Sequence, residues 1–403
     1  MKGTHVKKVA LSILPLLFLA ALAFPKGEGE ECSTVIVSGV ATPDRKPLMW
    51  KNRDTDQLWN RVVYVDEKPY SYLALVDADD SAGTMVWAGL NSAGFAISNS
   101  VAYNLPHNSA ESIDLEGIIM ASALRTCATV DEFEALIKRN GGSHLGSQAN
   151  FCVIDAHGGS SILEVHNHGY KRLDARDFPE GYIVNTNFSR SGTPEQGAGY
   201  LRFERETELF KNAPGGKVTY SYILQVLARD LGHSLLQNPS REEWKKLPPE
   251  NPRWVQANHT INRGSTASAV VVQGVEGGED PGKATMWVIL GEPVCSIAVP
   301  LWVAAGPPPS PLTTGEHTSI SKEAFRLKDV LRPLKTREQK EYIDISRLDN
   351  SAGTGWLPTI LETERIIFRD TENLLRSNPT AGQLAGHEKS VADKVLSTLQ
   401  GIR

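Results

Sequence analysis

The order of secondary-structure signals along the chain predicts an α+β fold, a four-layer αββα sandwich with a helical C-terminal tail. Three observations lead there. Alternating, β-branched runs recur from residue 32 to about residue 100, the chemistry of half-buried strands. The period then becomes helical, and strands return near residue 150. The resulting order of strands, two helices, strands, helices and strands is not the regular alternation of a doubly wound sheet. It suits two antiparallel sheets with helices on their outer faces.

Residues 32–40 carry Thr34, Val35, Ile36, Val37 and Val40 and read as a strand. Thr42-Pro43-Asp44-Arg45 is a turn, and PLMWKNRD resumes a strand. The far end of this hairpin carries Arg53 and Asp56. Further strands are expected at 61–66, 71–76, 84–90 and 94–100, the last two joined by Asn91-Ser92-Ala93-Gly94. Leu115 to Cys127 and Val130 to Arg139 read as helices. Thr129 with Glu132 makes a capping box for the second, and Gly141-Gly142 stops it. Strands follow at 150–156, 161–166 and 182–186, with His157-Gly158-Gly159 as a hairpin turn. Helices are expected at about 199–211 and 219–231, a Pro- and charge-rich loop at 238–253, and strands at 266–275 and 284–290. GPPPSP at 306–311 breaks the chain before a largely helical, polar tail. The domain reading is thus a core at 32–305 and an extension at 306–403 packed on or next to it.

Residues 1–23 read as a signal peptide. Lys2, Lys7 and Lys8 form its positive start, and Ala21-Leu22-Ala23 resembles a cleavage site. The apolar run of about 16 residues falls short of the roughly 20 that a spanning helix needs, and Pro15 interrupts it. A secreted or periplasmic protein without a stable membrane anchor is expected. Lipidation is disfavoured, because Glu30 and Glu31 precede Cys32 where small apolar residues would be needed. Residues 24–31, FPKGEGEE, read as a short propeptide.

The chain has 403 residues and a formal net charge of −5. Its Lys and Arg are scattered, so nothing suggests nucleic acid as a partner. Cys127, Cys152 and Cys295 sit in apolar or helical-looking surroundings and read as buried small hydrophobes rather than a disulfide framework. His166 and His168 alternate on one strand face, but no third ligand follows. No metal or organic cofactor is expected.

Cys32 stands apart. At a processed N-terminus its thiol is a nucleophile, and its own α-amino group, with a pKa of about 7.7–8.0, can act as the base. The segment CSTVIVSGVATPDRKPLMWKNRDTD resembles the start of the cysteine-type N-terminal-nucleophile hydrolases. That superfamily holds choloylglycine hydrolases, penicillin V acylases, acid ceramidase, isopenicillin N acyltransferase and a dipeptidase branch. Arg53-Asp54-Thr55-Asp56 matches its Arg-Asn-x-Asp, with Asp54 in place of the usual Asn. GLNSAGFAISNS, NFCVIDAHGGSSILEVH, the Thr-Asn of YIVNTNF and the Arg of LRFER resemble later family motifs in the right order, although Leu201 replaces a Ser. The resemblance spans about residues 32–305 and implies the αββα fold.

It also implies roles. Cys32 forms a thioester with the acyl half of an amide. Arg53 lowers the thiol pKa. Asp56 tunes the α-ammonium. Asn187 donates its amide to the oxyanion, a second oxyanion group comes from Asn99 in preference to Asn91, and Arg202 completes the site. The resulting reading is an exported, self-processed amidase acting on a linear, non-peptide C–N bond of a small-molecule acyl amide. Acyl transfer and homo-oligomers stay open. A dipeptidase of the same superfamily, or a catalytically silent envelope binding protein, are the alternatives. Trp59, Trp87, Tyr103 and Trp254 suit an apolar acyl group or core packing equally well.

Overall fold

A computed structural model describes residues 31–106, 115–140, 146–334, 336 and 341–403. The signal peptide, residues 24–30 and the Gly141-Gly142 stop lie outside them. The strands are β1 (Glu31–Val37), β2 (Leu48–Asp54), β3 (Asn60–Val65), β4 (Tyr72–Asp77), β5 (Ala88–Asn91), β6 (Ala96–Val101), β7 (Gln148–Ile154), β8 (Ser160–His166), β9 (Gly169–Asp174), β10 (Tyr182–Asn185), β11 (Trp254–Gln256), β12 (Thr266–Gln273), β13 (Thr285–Leu290), β14 (Val299–Leu301) and β15 (Tyr342–Asp344). The helices are α1 (Glu116–Thr126), α2 (Val130–Asn140), α3 (Tyr200–Lys211), α4 (Tyr220–Gln225), α5 (Arg241–Trp244), α6 (Ser310–Thr313), α7 (Ser319–Leu331), α8 (Leu357–Arg376) and α9 (Ala381–Gly401).

Two sheets dominate. One runs β10-β1-β2-β12-β13-β14 and the other β3-β4-β5-β6-β7-β8-β9, all neighbours antiparallel. β11 and β15 form a separate pair. The period-two alternation sorts side chains into layers. Ile36 and Met49 of the first sheet share a core with Leu75, Leu90, Cys152 and Ile154 of the second. On the other face of the second sheet, Phe95, Ile97, Phe151 and Val153 pack against Met120, Leu124 and Phe133 of α1 and α2. Helices α4, α7 and α9 contact the first sheet, and α8 packs on α9. Tyr220 stacks on Trp287 at 4.9 Å, and Phe368 meets that indole edge-on at 5.0 Å. The layers therefore read helix, sheet, sheet, helix.

Local differences from the expected elements have physical reasons. β9, GYKRLD, is an unpredicted edge strand whose polar residues blunt the end of the second sheet. β11, β14 and β15 have three residues each, too few to show a period. The expected loop at 238–253 contains α5, closed by a capping box between Ser240 and Glu243. The helix expected to reach residue 231 ends at Gln225 and continues as a tight turn at Leu227–Arg229. That break turns Arg229 inward, where it donates to Pro293 O at 2.8 Å and Ser296 O at 2.9 Å and pairs with Glu364 of α8 at 2.7 Å.

The tail is fastened by such carboxylates. Glu364 Oε1 also accepts from Ala298 N at 2.8 Å, and Glu388 Oε1 accepts from Trp302 N at 2.7 Å. Arg229 and Glu364 are both fully buried. Replacing Glu364 by Ala strands a buried guanidinium, so it should lower the unfolding free energy by about 3–5 kcal/mol. Denaturant unfolding followed by tryptophan fluorescence measures this. An unchanged midpoint would show that the tail is not coupled to the core.

Candidate active site

Strand β1 lies between β10 and β2, and its sequence Glu-Cys-Ser-Thr alternates two environments. Cys32 and Thr34 face the second sheet, while Glu31 and Ser33 face α3 and the 258–266 loop. Cys32 is 4% exposed, and its Cα lies opposite that of Arg53.

The inner side is cationic and rigid. Arg53 Nη1 binds Asp77 Oδ1 at 2.6 Å, and its guanidinium sits 4.2 Å over the Trp87 ring. Asp77 also accepts from Trp87 Nε1 at 3.2 Å and Asn60 Nδ2 at 3.2 Å. Lys51, two residues before Arg53 and on the same face, donates to Asn99 Oδ1 at 2.6 Å and to Trp87 O at 3.2 Å. Asn99 stands just past the end of the β5–β6 ladder, which closes at Ala88↔Ser98. Asn91 has a different task. It accepts from Ala93 N and Phe95 N in its own turn and donates to Leu124 O and Cys127 O at the end of α1. Cys152 is nearby, but burial pushes its thiol up to about 12 against the opposing effects of Thr34, Lys51 and Ser98. It stays protonated and inert.

The backbone of Cys32 is held on both sides. Its N–H donates to Asn187 Oδ1 at 2.9 Å, and its carbonyl accepts from Arg202 Nη1 at 2.8 Å. Arg202 also donates to Ser33 Oγ at 3.1 Å, to Asn187 Oδ1 at 2.9 Å and to Glu31 Oε2 at 2.7 Å. Two donors converge on Asn187 Oδ1, which fixes the orientation of that amide. Its Nδ2 is committed to Val101 O at 3.0 Å. In this geometry Asn187 holds the α-nitrogen of Cys32, whereas the sequence motif assigns it to the oxyanion. Gly199, at φ +80°, starts α3 and makes room: a Cβ there would lie 2.6 Å from Arg202 Nη2.

A carboxylate–guanidinium cluster covers the outer side. Arg263 bridges Glu31 Oε2 at 3.1 Å and Asp54 Oδ2 at 3.0 Å, and Thr266 donates to Asp54 Oδ1 at 2.7 Å. Burial alone would raise the Glu31 pKa, but Arg263, Arg202 and His259 outweigh it and hold the carboxylate below its usual range. For the fully buried Asp54, desolvation wins over Arg263, Arg202 and Thr266, and its pKa is raised. Glu206, one turn after Arg202, is pushed up to about 8 by burial, with Ser33 and Arg202 pulling the other way.

Of the residues singled out in the sequence, the structure gathers Cys32, Arg53, Asn187 and Arg202 directly, and Asn99 through Lys51. Asp56 does not join them. It is exposed, because β2 ends at Asp54 and the chain then turns outward. The buried carboxylate at this end is Asp54, whose Cα faces Glu31. Lys51 was not singled out in the sequence, although its place two residues before Arg53 on one strand puts both on the same face. Arg263, in the turn before β12, carried no local signal.

No protein-family profile matches the sequence, and no curated protein matches it. Among solved structures the fold is similar to a conjugated bile acid hydrolase from Clostridium perfringens (9% identity, TM-score 0.39, covering 68% of this chain and 92% of that one). It is also similar to an N-acylethanolamine-hydrolyzing acid amidase ortholog from Caenorhabditis elegans (14%, 0.39, 62% and 93%) and to a penicillin V acylase from Agrobacterium tumefaciens (14%, 0.35, 67% and 86%).

Two predictions come from this geometry. Asp56→Asn should leave stability within about 0.5 kcal/mol of the parent, as for a surface site. Asp54→Asn should lower stability by at least about 1 kcal/mol, because it removes a charged partner of buried Arg263. Thermal and denaturant melting separate the two residues, and a large loss of stability in Asp56→Asn would place its carboxylate among the buried partners.

The second concerns pH. Folded Glu206 keeps its proton up to about pH 8, whereas unfolded it releases the proton near its ordinary 4.5. Between these values the native state binds more protons, so this group makes stability fall as pH rises. Glu388, raised to about 8 by burial, has the same sign. Glu206→Gln cannot titrate and should flatten the decline in unfolding free energy between pH 5 and pH 8. An unaltered slope would show that Glu206 is ionised in the native state.

Proposed function

We propose that this protein is an exported, self-processed amidase that cleaves a linear, non-peptide C–N bond through a thioester on Cys32. One observation carries the reading: both peptide groups flanking Cys32 are gripped by buried side chains, Asn187 at its nitrogen and Arg202 at its carbonyl. A cysteine that merely packs at a strand start has no use for such a clamp.

Maturation proceeds at Glu31–Cys32. The Cys32 thiol adds to the Glu31 carbonyl carbon, a C–S bond forms, the C–N bond breaks, and the nitrogen leaves as the α-amine with the thiol's proton. Water then hydrolyses the thioester and releases the Glu31 carboxylate. Asn187 Oδ1, which accepted from the amide N–H, goes on to accept from the new α-ammonium. Arg202 holds the Cys32 carbonyl, so the chain end keeps its place. Arg53, across the strand, favours the thiolate.

Turnover repeats these steps on a small acyl amide. The thiolate attacks the amide carbonyl, the α-ammonium protonates the leaving amine, and water or an acceptor amine resolves the thioester. Lys51 holds the oxygen of Asn99, which leaves Nδ2 as the donor end for the oxyanion. Losing such a donor typically slows turnover about 100–1,000-fold.

The test is direct. Purified protein should begin at Cys32 by intact mass, label at that residue with iodoacetamide and hydrolyse members of an acyl-amide panel. Cys32→Ala should keep the peptide bond between positions 31 and 32 intact and hydrolyse none. Cleavage of dipeptides without N-acyl amides would move the protein to the dipeptidase branch. An unreactive Cys32 with no turnover of either class would make it a binding protein.

A further inference from the structure

We infer that the acyl half of the substrate carries a carboxylate, placed as the side chain of Glu31 is placed, and that Arg202 and Arg263 bind it. The inference rests on the proposed Cys32 chemistry and adds the substrate class.

In the unprocessed chain Glu31 Oε2 lies 2.7 Å from Arg202 Nη2 and 3.1 Å from Arg263 Nη1. The side chain of Arg202 is 1% exposed and that of Arg263 is 9% exposed, whereas the Glu31 side chain keeps 22%. The cluster is thus a socket with buried cationic walls and an opening where the carboxylate enters. His259, exposed on the rim, adds to the field on Glu31.

The socket is built for an acyl group. During maturation the thioester joins Cys32 Sγ to the carbonyl carbon of Glu31, so the side chain held by the two arginines belongs to the acyl group on sulfur. During turnover the substrate's acyl group hangs from the same sulfur by the same bond. Whatever surrounds the first acyl group surrounds the second. From its carbonyl, Glu31 reaches its carboxylate through three carbons, the length of a glutaryl or an α-glutamyl group.

Charge leads to the same conclusion. Before processing, two guanidiniums face two carboxylates, Glu31 and Asp54, while Glu206 beside Arg202 is kept protonated by burial. Removing Glu31 leaves Asp54 alone against them and adds an α-amine at Cys32. A buried cationic surplus of this kind binds an anion of matching shape, and an arginine fork suits a carboxylate.

Two experiments test this. In the first, the matured enzyme is assayed with glutaryl, α-glutamyl and pentanoyl amides of one leaving amine. Glutaryl and pentanoyl have the same length and differ in the terminal charge. The glutaryl or α-glutamyl amide should be preferred in kcat/KM by about 10–100-fold, the scale of a hydrogen bond to a charged group. Arg263→Gln should cut that ratio at least about tenfold. Hydrolysis of pentanoyl amides with equal or greater efficiency would overturn the inference and leave the amidase reading standing.

The second experiment does not need Cys32 chemistry. In the full chain carrying Cys32→Ala, the further change Glu31→Ala empties the socket. Millimolar acetate should then raise the melting temperature of the double variant, acetamide should not, and the Cys32→Ala parent should not respond. Equal effects of acetate and acetamide, or none, would overturn the carboxylate socket. If the double variant does not fold, binding of glutarate against pentanoate to the matured enzyme by calorimetry decides, with no discrimination as the overturning result.

Discussion

Arg202 is the interaction on which the site depends. A guanidinium removed from water is costly unless most of its donors are hydrogen-bonded and its charge is compensated. Here Nη1 and Nη2 together reach the Cys32 carbonyl, Ser33 Oγ, Asn187 Oδ1 and Glu31 Oε2, and only Nε has no hydrogen-bond partner. These acceptors come from β1 and from the segment after β10, two chain regions far apart in sequence. One side chain therefore sets the position of the Cys32 backbone, the orientation of the amide that holds its nitrogen and the grip on the residue before it. The tight start of α3 at Gly199 exists to bring it there.

Arg53 and Arg202 are both buried arginines within reach of Cys32, yet they do different work. Arg53 is locked by Asp77 and Trp87 into the layer between the sheets. Arg202 works on the backbone and the outer side. Lys51 donates to Asn99 and to the Trp87 carbonyl on the same inner side as Arg53.

Much of the fold was legible because strands and helices leave periodic traces, and the αββα order followed from their sequence. Cys32, Arg53 and Asn187 were legible because they sit in motifs with fixed spacing on β1, β2 and the end of β10. Asp56 was misplaced for a local reason. Arg53-Asp54-Thr55-Asp56 offers two carboxylates, and only the point where β2 ends decides which of them is buried. The orientation of the Asn187 amide, with Oδ1 rather than Nδ2 toward Cys32, could not be read from its motif. Arg263 was invisible, because its partners, Glu31 and Asp54, lie more than two hundred residues away.

The dipeptide Glu31-Cys32 has a further consequence through strand geometry. Successive side chains of a strand point to opposite faces. Cys32 and the residue before it therefore cannot share an environment. Groups beside the thiol lie between the sheets, and groups that hold Glu31 lie outside them. The chain uses this separation: the inner layer offers Arg53 and Lys51, and the outer layer offers Arg202, Arg263, Asp54 and Glu206. In the proposed chemistry, the part of the acyl group beyond its carbonyl is then recognised by charge without disturbing the electrostatics of the sulfur. Had Cys32 been preceded by a glycine bend instead of an extended glutamate, both tasks would have fallen on one face, and the carboxylate would have competed with the thiolate for the same cations.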